Sequence, residues 1–309
     1  MRIAFLFAGQ GAQYTGMGLS LYEASTAARA VFEMADSIRP GTSTQCFQAS
    51  KEELSQTVHT QPCVFTVDLA AARALKENGI EPYAVAGFSL GEIAALTFAD
   101  ALSDSDGFRL VTKRAKFMQE DSERVLSGMA AILKLDAARI EELSKAFDGV
   151  YPVNYNCPGQ VVVAGEKTAL EAFIKKVSEE GGKTIPLSVS GGFHSPLMMG
   201  AADKLFTELS SYTFHSPKYP VFSNLTAEPY EKTFSETLAQ QAKSPVLWQK
   251  TIEALISNGV DTFIEVGPGK TLGGFVKKIA PESAKVYSVQ DAASLKETLE
   301  ALNAGGTNA

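Results

Sequence analysis

The chain has 309 residues, 45% of them hydrophobic and 20% charged, with a formal net charge of -7. That length allows one large domain or two unequal ones around an ample core, and the acidic balance excludes a general nucleic-acid binder. No apolar run reaches the ~18 residues that cross a bilayer, so no membrane role is expected, and Met1–Phe7 is too short for a secretion signal. Cys46, Cys63 and Cys157 are widely spaced and show neither a disulfide framework nor metal-ligand spacing, which makes a reducing cytoplasm the expected location.

Ile3–Phe7 is an apolar run of the kind that forms a buried strand of a parallel sheet. It ends in the glycine-bracketed loop Gly9-Gln10-Gly11, placed where α/β folds put their sites. Leu19–Asp36 and Lys51–Leu54 are expected as helices and Gly41–Gln48 as a loop. A long helix is expected to open at His59-Thr60-Gln61-Pro62, with Pro62 in its first turn and Gly79 as its stop. Ala84-Val85-Ala86 then precedes Gly87-Phe88-Ser89-Leu90-Gly91 and the alanine-rich Glu92–Ala99, which gives strand, sharp turn and helix. Leu110–Asp121 is a further helix, carrying Arg114.

From Gly128 to Val189 the elements run strand (Gly128–Leu133), helix (Asp136–Phe147, capped by Asp136), strand (Val150–Tyr155), strand (Val161–Ala164), helix (Lys167–Glu180) and strand (Lys183–Val189). This β-α-β-β-α-β order is the ferredoxin-like arrangement. It marks residues 127–190 as a small domain inserted into a larger α/β domain of residues 1–126 and 191–309. The larger domain resumes at Phe193-His194-Ser195-Pro196, with strands at Val221–Asn224 and Thr262–Val266. The tail, Asn303–Ala309, is expected to fray.

A G-x-S-x-G between a strand and a helix is a nucleophile elbow, with glycines where a Cβ would clash and the serine at a helix N-terminus. A serine hydroxyl needs a base, and His194, on a constrained loop, is the best placed of the histidines, although His59 and His215 remain open. The Leu90 N–H is the standard first oxyanion donor of an elbow, and the Gln10 N–H is a candidate for the second. Arg114 shares its helix with Leu110, Val111, Phe117 and Met118. There it either lies on a solvated face or points into a pocket, where a guanidinium would grip a carboxylate.

Taken together, the ordered motifs resemble malonyl-CoA:acyl carrier protein transacylases and the related acyltransferase domains of polyketide synthases. They are Phe7–Gln13, Thr60-Gln61-Pro62, Gly87–Glu92, Arg114–Gln119, Asn156–Gln160, Gly192–Met198, Ser223-Asn224 and Glu265–Gly269. The resemblance implies an α/β-hydrolase-like large domain, Ser89 as the acylated nucleophile and His194 as its base. It further implies an oxyanion hole from Gln10 and Leu90, with Arg114 on the malonyl carboxylate. Phe193, Met118, Asn156 and Gln61 would line the substrate pocket, and a backbone carbonyl near Leu247 would orient the histidine. Malonyl-CoA and acyl carrier protein are the implied partners, with no cofactor, no metal and a monomer as the working state. Phe88 stands where such proteins often have histidine, and Phe193 would crowd a substituted malonyl group. A serine thioesterase or other hydrolase, a non-catalytic carrier-binding module, and a free-standing acyltransferase of a polyketide pathway are the rival readings.

Overall fold

Ile3–Phe7, apolar at all five positions and buried throughout, forms β1 at the centre of a parallel sheet in a computed structural model that describes residues 1–189 and 191–306. The strands after it are β2 (Ala84–Gly87), β3 (Ser127–Leu133), β4 (Val150–Cys157), β5 (Gln160–Glu166), β6 (Lys183–Pro186), β7 (Val221–Phe222), β8 (Thr262–Val266) and β9 (Lys285–Val289). They form two separate sheets, a parallel one ordered β7-β2-β1-β8-β9 and an antiparallel one ordered β4-β5-β3-β6. The mixed α/β expectation is met at that level. From β1 the chain steps outward through β2 to β7, then returns to β8 on the other side. The carboxyl ends of β1 and β8 therefore flank a topological switch point, where sheets of this kind leave a crevice.

The antiparallel sheet uses its two faces differently. Ala130 and Ile132 of β3 pack with Val161 and Val163 of β5 against Ile140, Leu143, Leu170, Phe173 and Val177 of helices Ala137–Ser144 and Lys167–Glu179. The alternate residues, Met129, Ala131, Val162 and Ala164, face Met118, Phe193 and Met198. This is the two-residue period of a strand with both faces buried. Asp136 caps the first helix as expected, accepting from Arg139 N at 2.7 Å. β4 is tied to the segment before helix Trp248–Ser257 by a short parallel bridge in which Val246 N donates to Val153 O at 2.8 Å and Tyr155 N to Val246 O at 3.0 Å.

Several expected boundaries move. Leu19–Asp36 is two helices, Leu19–Ala24 and Thr26–Ile38, because Ser25 is extended and its hydroxyl caps the second by accepting from Ala28 N at 3.0 Å. Gly41–Gln48 is not a loop: Gly41, at φ +86°, starts a helix over Thr42–Gln48. The long helix runs Thr57–Glu77 and begins two residues before His59, since His59 N and Thr60 N already bond to Gln56 O. Pro62 therefore sits inside the helix rather than in its first turn, which costs one backbone bond. Strands at 183–189 and 221–224 are shorter than expected, while β9 and the helices Met199–Leu209, Phe234–Gln241, Trp248–Ser257 and Thr271–Ile279 complete the larger unit. Residues 303–306, expected to fray, close the helix Ala292–Gly306; 307–309, of which the same was expected, lie outside the described residues, as does Ser190.

Candidate active site

The turn between β2 and the helix Gly91–Phe98 places Ser89 at φ +57°, a left-handed conformation that a non-glycine residue holds only when its surroundings enforce it. A Cβ on Gly87 would lie 1.9 Å from Gly91 O, and one on Gly91 would lie 2.5 Å from the carbonyl oxygens of Phe7 and Ala8. Both glycines are therefore steric requirements. Asn224, fully buried, clamps the turn from the side: its Oδ1 accepts from Ser89 N and its Nδ2 donates to Gly87 O, each at 2.7 Å. With Ser89 N so engaged, the next N–H, that of Leu90, has no protein acceptor among the described residues, and neither has Gln10 N. The Gln10 loop packs directly on the elbow, because a Cβ on Gly9 would come within 2.8 Å of Phe88 O.

Ser89 Oγ lies 2.7 Å from His194 Nε2. His194 Nδ1 lies 2.8 Å from Gln241 O, and since a carbonyl can only accept, Nδ1 carries the proton and Nε2 is left as the acceptor for the serine. The expectation that Leu247 supplies this carbonyl is wrong. Leu247 O is committed to Thr251 N at 2.9 Å, as the first carbonyl of helix Trp248–Ser257. Gln241 ends helix Phe234–Gln241, where carbonyls have no intrahelical partner. Two such carbonyls are used here, because His194 N also donates to Ala242 O at 3.2 Å. Burial, reinforced by the neighbouring Arg114 charge, pushes His194 down to about 4, against the opposing pull of backbone carbonyls at Gln241 and Ser244.

Arg114 is 1% exposed. It belongs to the buried stripe Leu110–Arg114–Met118 of helix Asp104–Ser122, three residues spaced at i, i+4 and i+8. Its Nη1 donates to Gln61 Oε1 at 2.8 Å, and its Nη2 donates to Gln241 Oε1 at 2.9 Å and to Ser89 Oγ at 3.1 Å. Burial lowers its pKa to about 10, with the Glu92 carboxylate pulling the other way, so the guanidinium stays charged at neutral pH. Gln61 is held in turn by Nε2 on Met118 Sδ at 3.5 Å.

Beside this cluster a cleft of about 220 Å³ opens between the two sheets, lined among others by Gln10, Phe88, Asn154, Asn156, Leu187 and Phe275. Asn156 lines this cleft, while Phe193 packs with Met118 on the site-facing side of the antiparallel sheet. Phe88 turns its ring edge-on to Trp248, with centroids 5.3 Å apart, as one wall of the cleft. Of the expected residues the structure brings together Ser89, His194, Arg114, Gln61, Met118, Phe193, Gln10, Leu90 and Asn156, and leaves Leu247 aside. His59 is drawn off to Arg39, at 3.0 Å from its Nη2.

Three residues of the site escaped the sequence reading. Asn224 stood in a quoted motif without a role, and Glu92 stood inside the elbow motif. Gln241 had no signal at all, yet its side chain and backbone together touch Ser89 O (2.8 Å), Arg114 and His194.

A nucleophile paired with a base, facing unpaired N–H groups and a guanidinium, is equipped for acyl transfer from a substrate with a free carboxylate. Comparison with known proteins points the same way. The chain is 40% identical to a malonyl CoA-acyl carrier protein transacylase of Bacillus subtilis (strain 168), over 100% of this chain and 99% of the relative. It is 34% identical to one of Staphylococcus aureus (strain MRSA252), over 96% and 97%. The crystal structure of a malonyl CoA-acyl carrier protein transacylase from Clostridium perfringens superposes with a TM-score of 0.95 at 39% identity, covering 99% of each chain. A malonyl-transacylase solved in complex with its type II PKS acyl-carrier protein superposes with a TM-score of 0.93 at 35% identity, over 97% of this chain and 100% of that one. The family model described as acyl transferase domain matches residues 4–300, and the chain belongs to that family.

Proposed function

We propose that the protein moves the malonyl group of malonyl-CoA to the phosphopantetheine thiol of acyl carrier protein, through a malonyl ester on Ser89. The observation that carries this reading is the Arg114 guanidinium 3.1 Å from Ser89 Oγ, at the same serine that His194 addresses. Ser89 Oγ attacks the thioester carbon while His194 Nε2 takes its proton, and the oxyanion is met by Gln10 N–H and Leu90 N–H. Collapse breaks the C–S bond, and the thiolate recovers the proton from His194. The carrier thiol then repeats the sequence in reverse, giving its proton to His194 as it attacks the ester. Arg114 holds the malonyl carboxylate throughout, fixing the ester against the incoming thiol, while the cleft between the sheets limits attack by water. A hydrolase has no need of a carboxylate held on Arg114, and this favours a transferase.

The antiparallel order β4-β5-β3-β6 with its two helices supports a ferredoxin-like unit at residues 127–190, inserted in a catalytic domain of residues 1–126 and 191–309. The β7-β2-β1-β8-β9 order is that of a doubly wound sheet, so likeness to the α/β-hydrolases rests on the elbow. No helix among the described residues is long and apolar enough to cross a membrane, which accords with a cytoplasmic enzyme. The proposed working state is a monomer.

The test is intact-protein mass spectrometry with peptide mapping after mixing with malonyl-CoA, then with phosphopantetheinylated carrier. A malonyl increment on the Ser89 peptide that passes to the carrier is expected. Decay to free malonate without loading the carrier would instead identify a hydrolase.

A further inference from the structure

Arg114 is buried, yet no carboxylate among the described residues lies within ion-pair distance of it. The nearest compensation is indirect. Glu92, on the first turn of the elbow helix and fully buried, accepts from Gln241 Nε2 at 3.3 Å, and the other end of the same amide accepts from Arg114 at 2.9 Å. Gln241 is thus an insulated link between one buried negative and one buried positive charge. With Nη1 on Gln61 and Nη2 on Gln241 and Ser89, Arg114 keeps Nε and one Nη1 proton without an acceptor among the described residues, and no carboxylate of the protein occupies them. A buried cation without any counter-charge would be costly, so the empty site keeps its balance through Glu92.

That balance changes when substrate arrives. A malonyl carboxylate on Arg114 supplies a counter-charge at closer range, and Glu92 becomes a second anion beside the same cation. Two buried carboxylates sharing one guanidinium favour protonation of the one with the weaker contact. We infer that Glu92 is the proton-linked counter-charge of Arg114, taking up a proton from solvent when the malonyl carboxylate docks and releasing it when the malonyl group leaves. This rests on the malonyl-transfer reading of the site. The acyl transfer itself is proton-neutral, since the Ser89 proton ends on the coenzyme A thiol through His194, so the additional proton is drawn from the buffer.

Glu92 is suited to this exchange. Burial raises its pKa to about 7, opposed by hydrogen bonds from Tyr230, Asn224 N and Gln241 and by the Arg114 charge. The titratable groups that act on it are Arg114, from the helix Asp104–Ser122, and Tyr230, from the segment after β7, whose hydroxyl donates to Glu92 Oε1. Burial and the Glu92 carboxylate hold that phenol far above its ordinary value, so it stays neutral. No hydrogen bond or charge interaction links Glu92 to a titratable side chain of β1, β2 or the helix Thr57–Glu77 among the described residues.

The experiment counts protons per acyl-enzyme formed. Protein and malonyl-CoA are mixed in weak buffer with a pH indicator between pH 6 and 8, and malonyl-Ser89 is quantified by mass in the same samples. If occupancy moves Glu92 from about 7 to roughly one unit higher, wild type takes up about half a proton per malonyl-enzyme near pH 7.5, fading toward pH 6. Acetyl-CoA, which brings no carboxylate, gives none per acetyl-enzyme. In Glu92→Gln the amide can still accept from Asn224 N and Gln241 and donate to the Tyr230 hydroxyl, so the network is kept while the titrating group is lost; uptake disappears. A malonyl adduct forming in wild type with no uptake overturns the inference and leaves the transfer reading standing, and this needs no variant. Equal uptake in Glu92→Gln also overturns it, assigning the proton to another group such as His194. Absence of any malonyl adduct on folded protein removes the transfer reading and this inference together.

Discussion

Replacing Asn224 by alanine removes the clamp on the elbow, and the structure says how much that costs. The buried Ser89 N–H and Gly87 C=O each lose a 2.7 Å hydrogen bond and find no other partner. At about 1–3 kcal/mol for each orphaned group, the loss is ~2–6 kcal/mol. A domain stable by about 5–15 kcal/mol would survive the lower end of that range and come close to unfolding at the upper end. The damage to activity follows separately. Ser89 at φ +57° stores roughly 1–3 kcal/mol of backbone strain that the clamp resists. Once released, the turn relaxes and Oγ leaves its 2.7 Å contact with His194; a displacement near 1 Å costs on the order of 10²-fold in rate. Denaturant unfolding and the rate of malonyl-Ser89 formation are measured on the same preparation. Asn224→Asp is the isosteric companion: it keeps an acceptor for Ser89 N but turns an oxygen toward Gly87 O, and should fall short of wild type in both assays. Asn224→Ala within 0.5 kcal/mol of wild type, acylating at the wild-type rate, would refute the clamp.

The Arg114→Ala variant should lower kcat/KM for malonyl-CoA by ~10²–10⁴-fold, since two charge-assisted hydrogen bonds at about 1.5–3 kcal/mol each are lost, and should spare acetyl-CoA by comparison. An unchanged malonyl-to-acetyl ratio in steady-state transfer would rule out the carboxylate clamp. His194, depressed to about 4, remains a neutral base well below the usual histidine range. The acid limb of kcat/KM for malonyl-CoA should therefore lie near pH 4, and a limb at 6.5 set by this residue would contradict its burial. The same depression stabilises the fold above about pH 6.5, and that contribution is lost as pH falls through about 4. Trimming Phe193 to alanine should weaken discrimination against methylmalonyl-CoA by at most ~10–200-fold, the worth of one excluded methyl; an unaltered competition ratio would place the selecting wall elsewhere.

What was legible in the sequence is what local chemistry dictates. β1, the elbow and the helix that carries Arg114 follow from apolar runs, glycine spacing and helical period, all within a few residues, while the burial of Arg114 itself was left open. The Asp136 cap and the succession of strands and helices from β3 to β6 follow in the same way. The boundary errors share one cause: a position whose local preference was outvoted. Ser25 sat within a plausible helical run but caps instead, and Pro62 was placed by preference in a first turn that begins five residues earlier.

The error at Leu247 is of another kind. A backbone carbonyl has no side-chain signature, so its role could be assigned only by analogy of position. The physical criterion is a lone pair to spare: Gln241 closes a helix and its carbonyl takes only a long 3.4 Å bond from Ser244 N besides His194, whereas Leu247 opens one and its carbonyl already accepts from both Thr251 N and Thr251 Oγ1. The same logic explains why glutamine at 241 is more than a bystander. Its backbone orients the base, and its side-chain carbonyl accepts from the guanidinium. Its NH₂ group donates to Ser89 O and toward Glu92. An amide is acceptor at one edge and donor at the other, as an ionised carboxylate is not, so Gln241→Glu, equal in length, would set a carboxylate against both Ser89 O and Glu92 and close Arg114 in a direct ion pair. The site thus depends on keeping its buried charges one amide apart, a requirement spread over residues 92, 114 and 241 that no local pattern could have announced.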